Sequence, residues 1–302
     1  MNPGSGVDNS PPAIFDDRPR RSWLFVPASD EGKLRKACGL RSDVVVMDLE
    51  DAVASERKAA ARAAAQDWLP AYRGRAVAVR VNGTGSGLLA DDLTAVVAAG
   101  PGAVILPKVQ DPSELAEADA LITGVEQAAG LPTGAVRLLP LIETAAGVAR
   151  CDDILAGAPP RVLTALLGSG DLTADLGVDL TPEAAELQYA RSRLVIAARA
   201  AALTAPIDGP WTWLDDLEGL AGDCRRSRRL GFQGRITLHP RQNETVDLAY
   251  AETSQEDVQR ARRIVAAFEE ARAHGQAAVR VDGKFVDHPI YLRALESLRH
   301  HS

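Results

Sequence analysis

Aromatic side chains make up only 4% of these 302 residues, so Leu, Val, Ile and Ala must fill any core. Cysteine is nearly as scarce. Cys38, Cys151 and Cys224 are far apart and odd in number, which excludes a disulfide framework or a cysteine-based metal cluster and fits thiols kept reduced in a cytoplasm. No apolar run approaches the ~20 residues a membrane helix needs. The first residues carry no secretory pattern. Positive charge is not in excess either: the formal net charge is -7, which leaves no electrostatic footprint for nucleic acid. The expectation is a cytoplasmic protein with neither a nucleic-acid nor a membrane partner. A small anion can still bind through a local basic cluster.

What is present is alternation. Apolar runs end, one after another, at residues able to do chemistry: WLFVPA at Ser29 and Asp30, VVVM at Asp48, Glu50 and Asp51, AVAV at Arg80 and Asn82, and AVILP at Lys108. LLPLI ends at Glu143, LTALLGSG at Asp171, API at Asp208 and ITL at His239. Ala-rich segments with helical spacing lie between them. Ser55 is placed to cap the helix ERKAAARAAAQDWL, Asp111 the next helix, and Thr181-Pro182-Glu183 a long one. Eight strands alternating with helices predict a TIM (β/α)8 barrel over residues 21–240. In that fold the strand C-termini and the following loops build the active site. Residues 1–20, rich in Pro, Gly, Ser and Asp, read as a disordered tail. Residues 241–302 read as a C-terminal helical or lid extension, too small for a core of its own and therefore packed on the barrel or on a neighbouring subunit.

Glu143 and Asp171 end strands five and six in this reading. Adjacent strands lie ~4.8 Å apart, so two carboxylates at their tips can share one hard cation. Each acid can equally cap the helix that follows it. Arg80 has the fork geometry for a substrate carboxylate or a developing oxyanion, and also for a structural ion pair with Glu50 or Asp51. Lys108 can hold the acidic ring together. His239, followed by proline, reads as either a ring member or a satisfied structural imidazole. GTGSG at 83–87 is either a set of turns or a phosphate-contacting loop; it lacks the Gly-Lys-Ser/Thr of a Walker loop, and no dinucleotide fingerprint follows the first strand.

RSWLFVPAS, DVVVMDLEDAV, VRVNGTG, ILPKV, LLPLIETAAGV, GSGDLTADLG, IDGPW, LGFQGRITLHPRQ and VDGKFVDHP occur in this order. Together they resemble the citrate lyase beta-subunit-like (CoA ester lyase) branch of the HpcH/HpaI aldolase/citrate lyase family, over roughly residues 21–293. The resemblance implies a carbon–carbon lyase of the oxo-acid-lyase type. Its cofactor would be Mg2+ (Mn2+ as an alternative), and its substrate a 3-hydroxyacyl-CoA thioester such as malyl-, citramalyl- or citryl-CoA, cleaved to or formed from a 2-oxo acid and an acyl-CoA. Carried over by motif, Glu143 and Asp171 are the metal carboxylates and Arg80 contacts the acid. Glu50, Asp51, Lys108 and Gly170 line the substrate site. Asp287 matches an acid in a lid that reaches a neighbouring subunit, implying a homotrimer or hexamer. Ala28 stands where the family commonly has glycine, and Gly170 where many relatives carry a side chain. The thioester's phosphates need a basic site; Arg18, Arg20 and Arg21, or Arg191 and Arg193, are the candidates, with the RRSRR run at 225–229 read as a solvated helix face. The alternatives are a citryl-acyl-carrier-protein lyase subunit, a malate-synthase-like or thioesterase-like enzyme, and a non-catalytic metabolite-binding barrel.

Overall fold

The computed structural model describes residues 20–251 and 255–299, with no account of the side chains at 255, 256 and 299. The tail at 1–19 with Arg18, the Ser254 helix start and His300 lie outside the described residues. Eight parallel strands close into a barrel in sequence order: β1 (Ser22–Pro27), β2 (Val44–Asp48), β3 (Val77–Arg80), β4 (Ala103–Leu106), β5 (Arg137–Ile142), β6 (Leu166–Leu167), β7 (Ile207–Asp208) and β8 (Gly234–Thr237), with β8 pairing back onto β1. This is the expected TIM barrel. Its interior is a packed layer that includes Trp23, Val46, Ala78, Ile105, Leu141, Leu166, Ile207 and Ile236. A larger cluster lies between strands and helices, with Leu24, Met47, Val79, Leu106 and Ile142 facing Leu34, Leu93, Ile122 and Leu194.

Several local expectations shift. The strand expected over 162–172 keeps only Leu166–Leu167, because the chain turns into the Ser169–Leu176 helix directly after Gly168. Asp171 is therefore in the first turn of a helix and not at a strand tip. Ser55 opens a 3-10 turn instead of capping, and the α-helix starts at Lys58. Thr181 closes a turn with Glu186, whose carboxylate accepts from Thr181 N at 2.7 Å and Oγ1 at 2.9 Å, and the α-helix begins only at Gln188. Asp30 caps the Glu31–Cys38 helix by accepting from Lys33 N at 3.0 Å, so that stop is a structural one. The glycines at 83–87 form a 3-10 turn ending at Gly87 with φ 72.

The barrel unit ends at Tyr250, not at 240. The Arg241–Ala251 helix buries Val246, Ala249 and Tyr250, and its Gln242 donates to Trp211 O at 2.9 Å. It is the eighth barrel helix, required because the ring of helices closes only after β8. The second unit, from Ala251 on, is an antiparallel hairpin, β9 (Val279–Val281) and β10 (Lys284–Val286), with the helices Gln255–Ala273 and His288–Arg299. Asp282 and Gly283 both have positive φ, the requirement of a tight two-residue hairpin turn. Contrary to expectation, this unit has an apolar cluster of its own: Ala261, Ile264, Phe268, Val286, Tyr291 and Ala294, with the rings of Phe268 and Tyr291 stacked at 4.7 Å.

Candidate active site

Side chains alternate faces along a strand, so the residue two beyond an interior one is interior again, one layer nearer the mouth. Asp48 follows Val46 by two positions, Arg80 follows Ala78, and Glu143 follows Leu141. All three are buried. Asp48 and Arg80 are also register partners across β2 and β3. The guanidinium takes Asp48 in a two-point clamp, Nε to Oδ1 at 2.8 Å and Nη2 to Oδ2 at 2.6 Å, and reaches Glu50 Oε2 from Nη1 at 3.0 Å. It also lies over the Phe25 ring at 5.2 Å, a favourable cation–π distance. Burial opposes its charge, but Asp48 and Glu50 hold it firmly protonated. Nη1 and Nη2 each retain a further N–H for a ligand.

The ion-pair alternative for Arg80 holds for Glu50, while its main partner is Asp48, read from sequence as a polar strand end but not as the partner of the arginine. Lys58 was missed as well: its ammonium donates to Leu49 O at 2.8 Å and Glu50 O at 2.7 Å and pins the loop that carries Glu50 and Asp51. The signal available for Asp48 was parity with Arg80, each the last residue of a neighbouring apolar run. For Lys58 no signal distinguishes it from the other charged residues of an exposed helix.

Lys108 joins the other acids. Its ammonium meets Glu50 Oε1 at 2.6 Å, Asp51 Oδ2 at 3.1 Å and Asp171 Oδ1 at 3.6 Å, while its backbone N–H donates to Glu143 Oε1 at 3.0 Å. Glu50, Asp51, Lys108, Asp171 and Glu143 are thus brought to one end of the barrel with Arg80. Neither metal candidate is a helix cap. Thr144 caps the helix after Glu143 by accepting from Gly147 N, and no side chain caps the helix carrying Asp171. Gly170 is exposed, and a β-carbon there would meet nothing within 4 Å, so packing does not require glycine at this position.

Other polar stops lie elsewhere. Asp208 follows interior Ile207 by one residue and so faces outward, where it is fully buried with Arg191, Arg235 and Asp223. Arg191 is spent in that cluster. Arg193 holds Val148 O and Ala149 O at 3.1 Å, beside Asp152 at 2.9 Å. Arg20 and Arg21 precede β1 and therefore stand at the end of the barrel opposite the acids. Asn82 is buried against Asp92, accepting no role at the mouth. His239 is half-buried, its Nδ1 accepting from Arg241 N at 3.2 Å. Asp287 belongs to the second unit, where its Oδ1 accepts from Ile290 N at 3.3 Å at the start of the last helix.

Glu143 is the electrostatic anomaly. It is 1% exposed, and among the described residues no cation lies within ion-pairing distance of it. Burial raises its carboxyl to about 8, the charge of Asp171 adds to the rise, and Arg80 and Lys108 oppose it. A buried carboxylate beside a second one, with no paired cation, has the donor chemistry that a hard divalent ion takes. Among the described residues no three His, Cys, Asp or Glu side chains assemble into a metal cage. A bound ion would therefore draw on two carboxylates, with water and substrate oxygens completing its shell, which is the habit of Mg2+. Gly168 makes room for Glu143: a β-carbon at 168 would collide with its Oε2 and Cβ. Gly168→Ala is therefore expected to displace Glu143 and weaken Mg2+ binding at least tenfold by calorimetry, at a stability cost of about 1–3 kcal/mol from overpacking. Wild-type Mg2+ affinity in that variant would detach Glu143 from any metal site.

The fold and this mouth define a class: a TIM-barrel protein with an arginine fork and two neighbouring carboxylates, one just past a strand and one on a helix, at the C-terminal end of the barrel. Residues 21–240 match the model of the HpcH/HpaI aldolase/citrate lyase family, and the chain belongs to that family. Citrate lyase subunit beta of Leuconostoc mesenteroides subsp. cremoris is 35% identical over 281 residues, covering 92% of each chain. A (3S)-malyl-CoA thioesterase of Cereibacter sphaeroides is 36% identical over 93% of this chain and 94% of its own. Among solved structures, CitE of Mycobacterium tuberculosis in complex with magnesium, acetoacetate and coenzyme A is 29% identical with a TM-score of 0.75, covering 93% of this chain and 97% of that one. No helix among the described residues is long and apolar enough to cross a membrane.

Proposed function

We propose that this protein is a Mg2+-dependent carbon–carbon lyase that cleaves, or in reverse forms, a 3-hydroxyacyl-CoA thioester of the malyl-, citramalyl- or citryl-CoA type. The observation that carries the reading is the buried, uncompensated Glu143 beside Asp171, one barrel layer above the core and next to the Arg80 fork. Relatives named for citrate lyase and malyl-CoA chemistry support it, as does a structural neighbour crystallised with magnesium and coenzyme A.

Glu143 and Asp171 would hold the cation. When bound, it supplies Lewis-acid polarisation and a template for the substrate's carboxylate and hydroxyl oxygens. The remaining N–H groups of Arg80 orient the acid end of the substrate and stabilise the oxyanion left when the hydroxyl gives its proton to a solvent water at the open mouth. The carbonyl of the 2-oxo acid then forms as the carbon–carbon bond breaks, and the bond's electrons pass to the acyl thioester as an enolate. Asp287, from a neighbouring copy in a trimer or hexamer, is the proposed proton donor to that enolate. Glu50 joins Asp48 in fixing the Arg80 plane, Lys108 holds Glu50 and Asp51 in place, and Gly170 leaves space for the substrate.

The test is a mass-spectrometric screen of CoA thioesters with Mg2+, watching for 2-oxo acid release. Glu143→Ala is expected to abolish the Mg2+-dependent turnover while keeping the native circular dichroism spectrum; full activity in that variant rejects the assignment. The thioesterase names among the relatives favour one second reading, hydrolysis of the thioester. Release of free CoA in place of an intact acyl-CoA would establish it.

A further inference from the structure

Lys108 holds a backbone conformation that side chains rarely adopt, φ 55, directly after β4 and Pro107. Two contacts depend on it. The backbone N–H points to Glu143 Oε1 at 3.0 Å, and the ammonium stands among Glu50, Asp51 and Asp171. One residue thus touches both carboxylates assigned to the cation, the buried one through its main chain and the half-exposed one through its side chain. The three side-chain distances are unequal. The bond to Glu50 is short at 2.6 Å, whereas Asp171 lies at 3.6 Å, within ion-pairing range but beyond a hydrogen bond. The side chain of Lys108 is 39% exposed and that of Asp171 39%, so this contact, unlike the Arg80–Asp48 clamp, is free to change.

We propose that the Lys108 ammonium is the resident counter-charge of Asp171 and competes with the divalent cation for it, so that Lys108 sets the metal affinity of the mouth low. The inference rests on the metal assignment above. A tethered ammonium and a divalent ion sharing one carboxylate repel each other. The repulsion is limited because Glu50 and Asp51 keep hold of the ammonium as the cation takes Asp171. Lys108 thereby offsets part of the negative charge of the metal-free mouth, and the cation enters against a competitor that never leaves the site.

The sign of the effect separates competition from a scaffolding role. If Lys108 merely held the acids in place, neutralising it would loosen the mouth and weaken Mg2+ binding. Competition demands the reverse. The experiment is calorimetric titration of the full-length protein with Mg2+ alone, comparing wild type with Lys108→Met, Lys108→Asn, Lys108→Arg and Glu143→Ala. Met preserves the aliphatic stem. Asn tolerates the left-handed backbone and keeps the N–H to Glu143, so it carries the test if the Met variant does not fold. Both neutral variants are expected to bind Mg2+ at least tenfold more tightly, a gain of about 1.4 kcal/mol, with the Arg variant near wild type. Unchanged or weaker binding in the neutral variants, with wild-type binding still abolished by Glu143→Ala, overturns the inference and leaves the lyase reading standing. Absence of Glu143-dependent Mg2+ binding in wild type overturns both.

Discussion

Arg80→Met is expected to lower kcat for 2-oxo acid release by about three orders of magnitude, with Mg2+ affinity changed far less. Two effects combine. The first is loss of the donors aimed at the oxyanion, for which single-donor removals elsewhere cost about 10²–10³ in rate. The second is structural. Asp48 is 2% exposed and has Arg80 as its clamp partner, so deleting the guanidinium leaves a carboxylate buried without its cation, at a cost of about 3–5 kcal/mol. Asp48 and Arg80 are register neighbours, so the disturbance is felt at the strand ends that carry the mouth. Arg80→Lys restores charge without the planar fork and is expected to recover only a small part of the rate. Steady-state kinetics beside Mg2+ calorimetry decide the matter. A variant with more than a tenth of wild-type turnover would remove Arg80 from the chemistry.

The second large effect concerns stability. Arg191, Asp208, Asp223 and Arg235 form a buried cluster of two cations and two anions outside the strand barrel, under the helices Gln188–Ala200 and Leu217–Leu230. Arg191 grips Asp223 at 3.0 and 2.6 Å and Asp208 at 3.0 Å, and Arg235 bridges both acids. Burial alone would raise the two carboxyls; Arg191 and Arg235 instead hold both below the ordinary value of 3.8. Asp208→Asn leaves two buried guanidiniums, Arg191 and Arg235, to share Asp223, with Nε and Nη1 of Arg235 already unpartnered. The expected loss is about 3–5 kcal/mol. For a unit of this size that lowers the melting temperature by roughly 6–20 °C, with turnover at 25 °C within about twofold of wild type. The sign of the pH dependence follows from the depressed carboxyls. Their contribution is complete above the ordinary value and is lost as pH falls through their folded values, so the gap between wild type and variant narrows in acid. A loss below about 1 kcal/mol at neutral pH would mean that the cluster serves specificity more than stability.

Asp48 and Asp208 show how much of the site was legible beforehand. Each ends a short apolar run, and by composition they are equivalent. In the structure one lies inside the barrel as the arginine's clamp, and the other lies outside it in a structural ion cluster. The difference is one step of strand parity. Parity is ordinarily read from alternating polar and apolar residues, but a parallel strand covered on both faces is apolar throughout. VVVM therefore shows no inward or outward face. The same blindness allowed Arg191 to be offered as a phosphate ligand when its partners lie on a strand and a helix far away in sequence. The motifs of the family resemblance name Glu143, Asp171 and Arg80 without any reading of parity, because a motif carries its own register.

The sequence by itself determined the alternation of eight strands with helices, hence the closed barrel, and the end of it at which acids, Arg80 and Lys108 collect. Those properties follow from local patterning, which residues impose within a few positions of themselves. The tertiary structure alone decided which polar ends point inward, that Asp171 rides on a helix, that Lys58 pins the acidic loop, that the Arg241–Ala251 helix completes the barrel, and that Lys108 bends into a left-handed turn to meet four acids. The Arg80–Asp48 clamp, the meeting of Lys108 with its acids and the bond from Gln242 to Trp211 each join residues tens of positions apart, and short-range patterning carries no information about such a meeting.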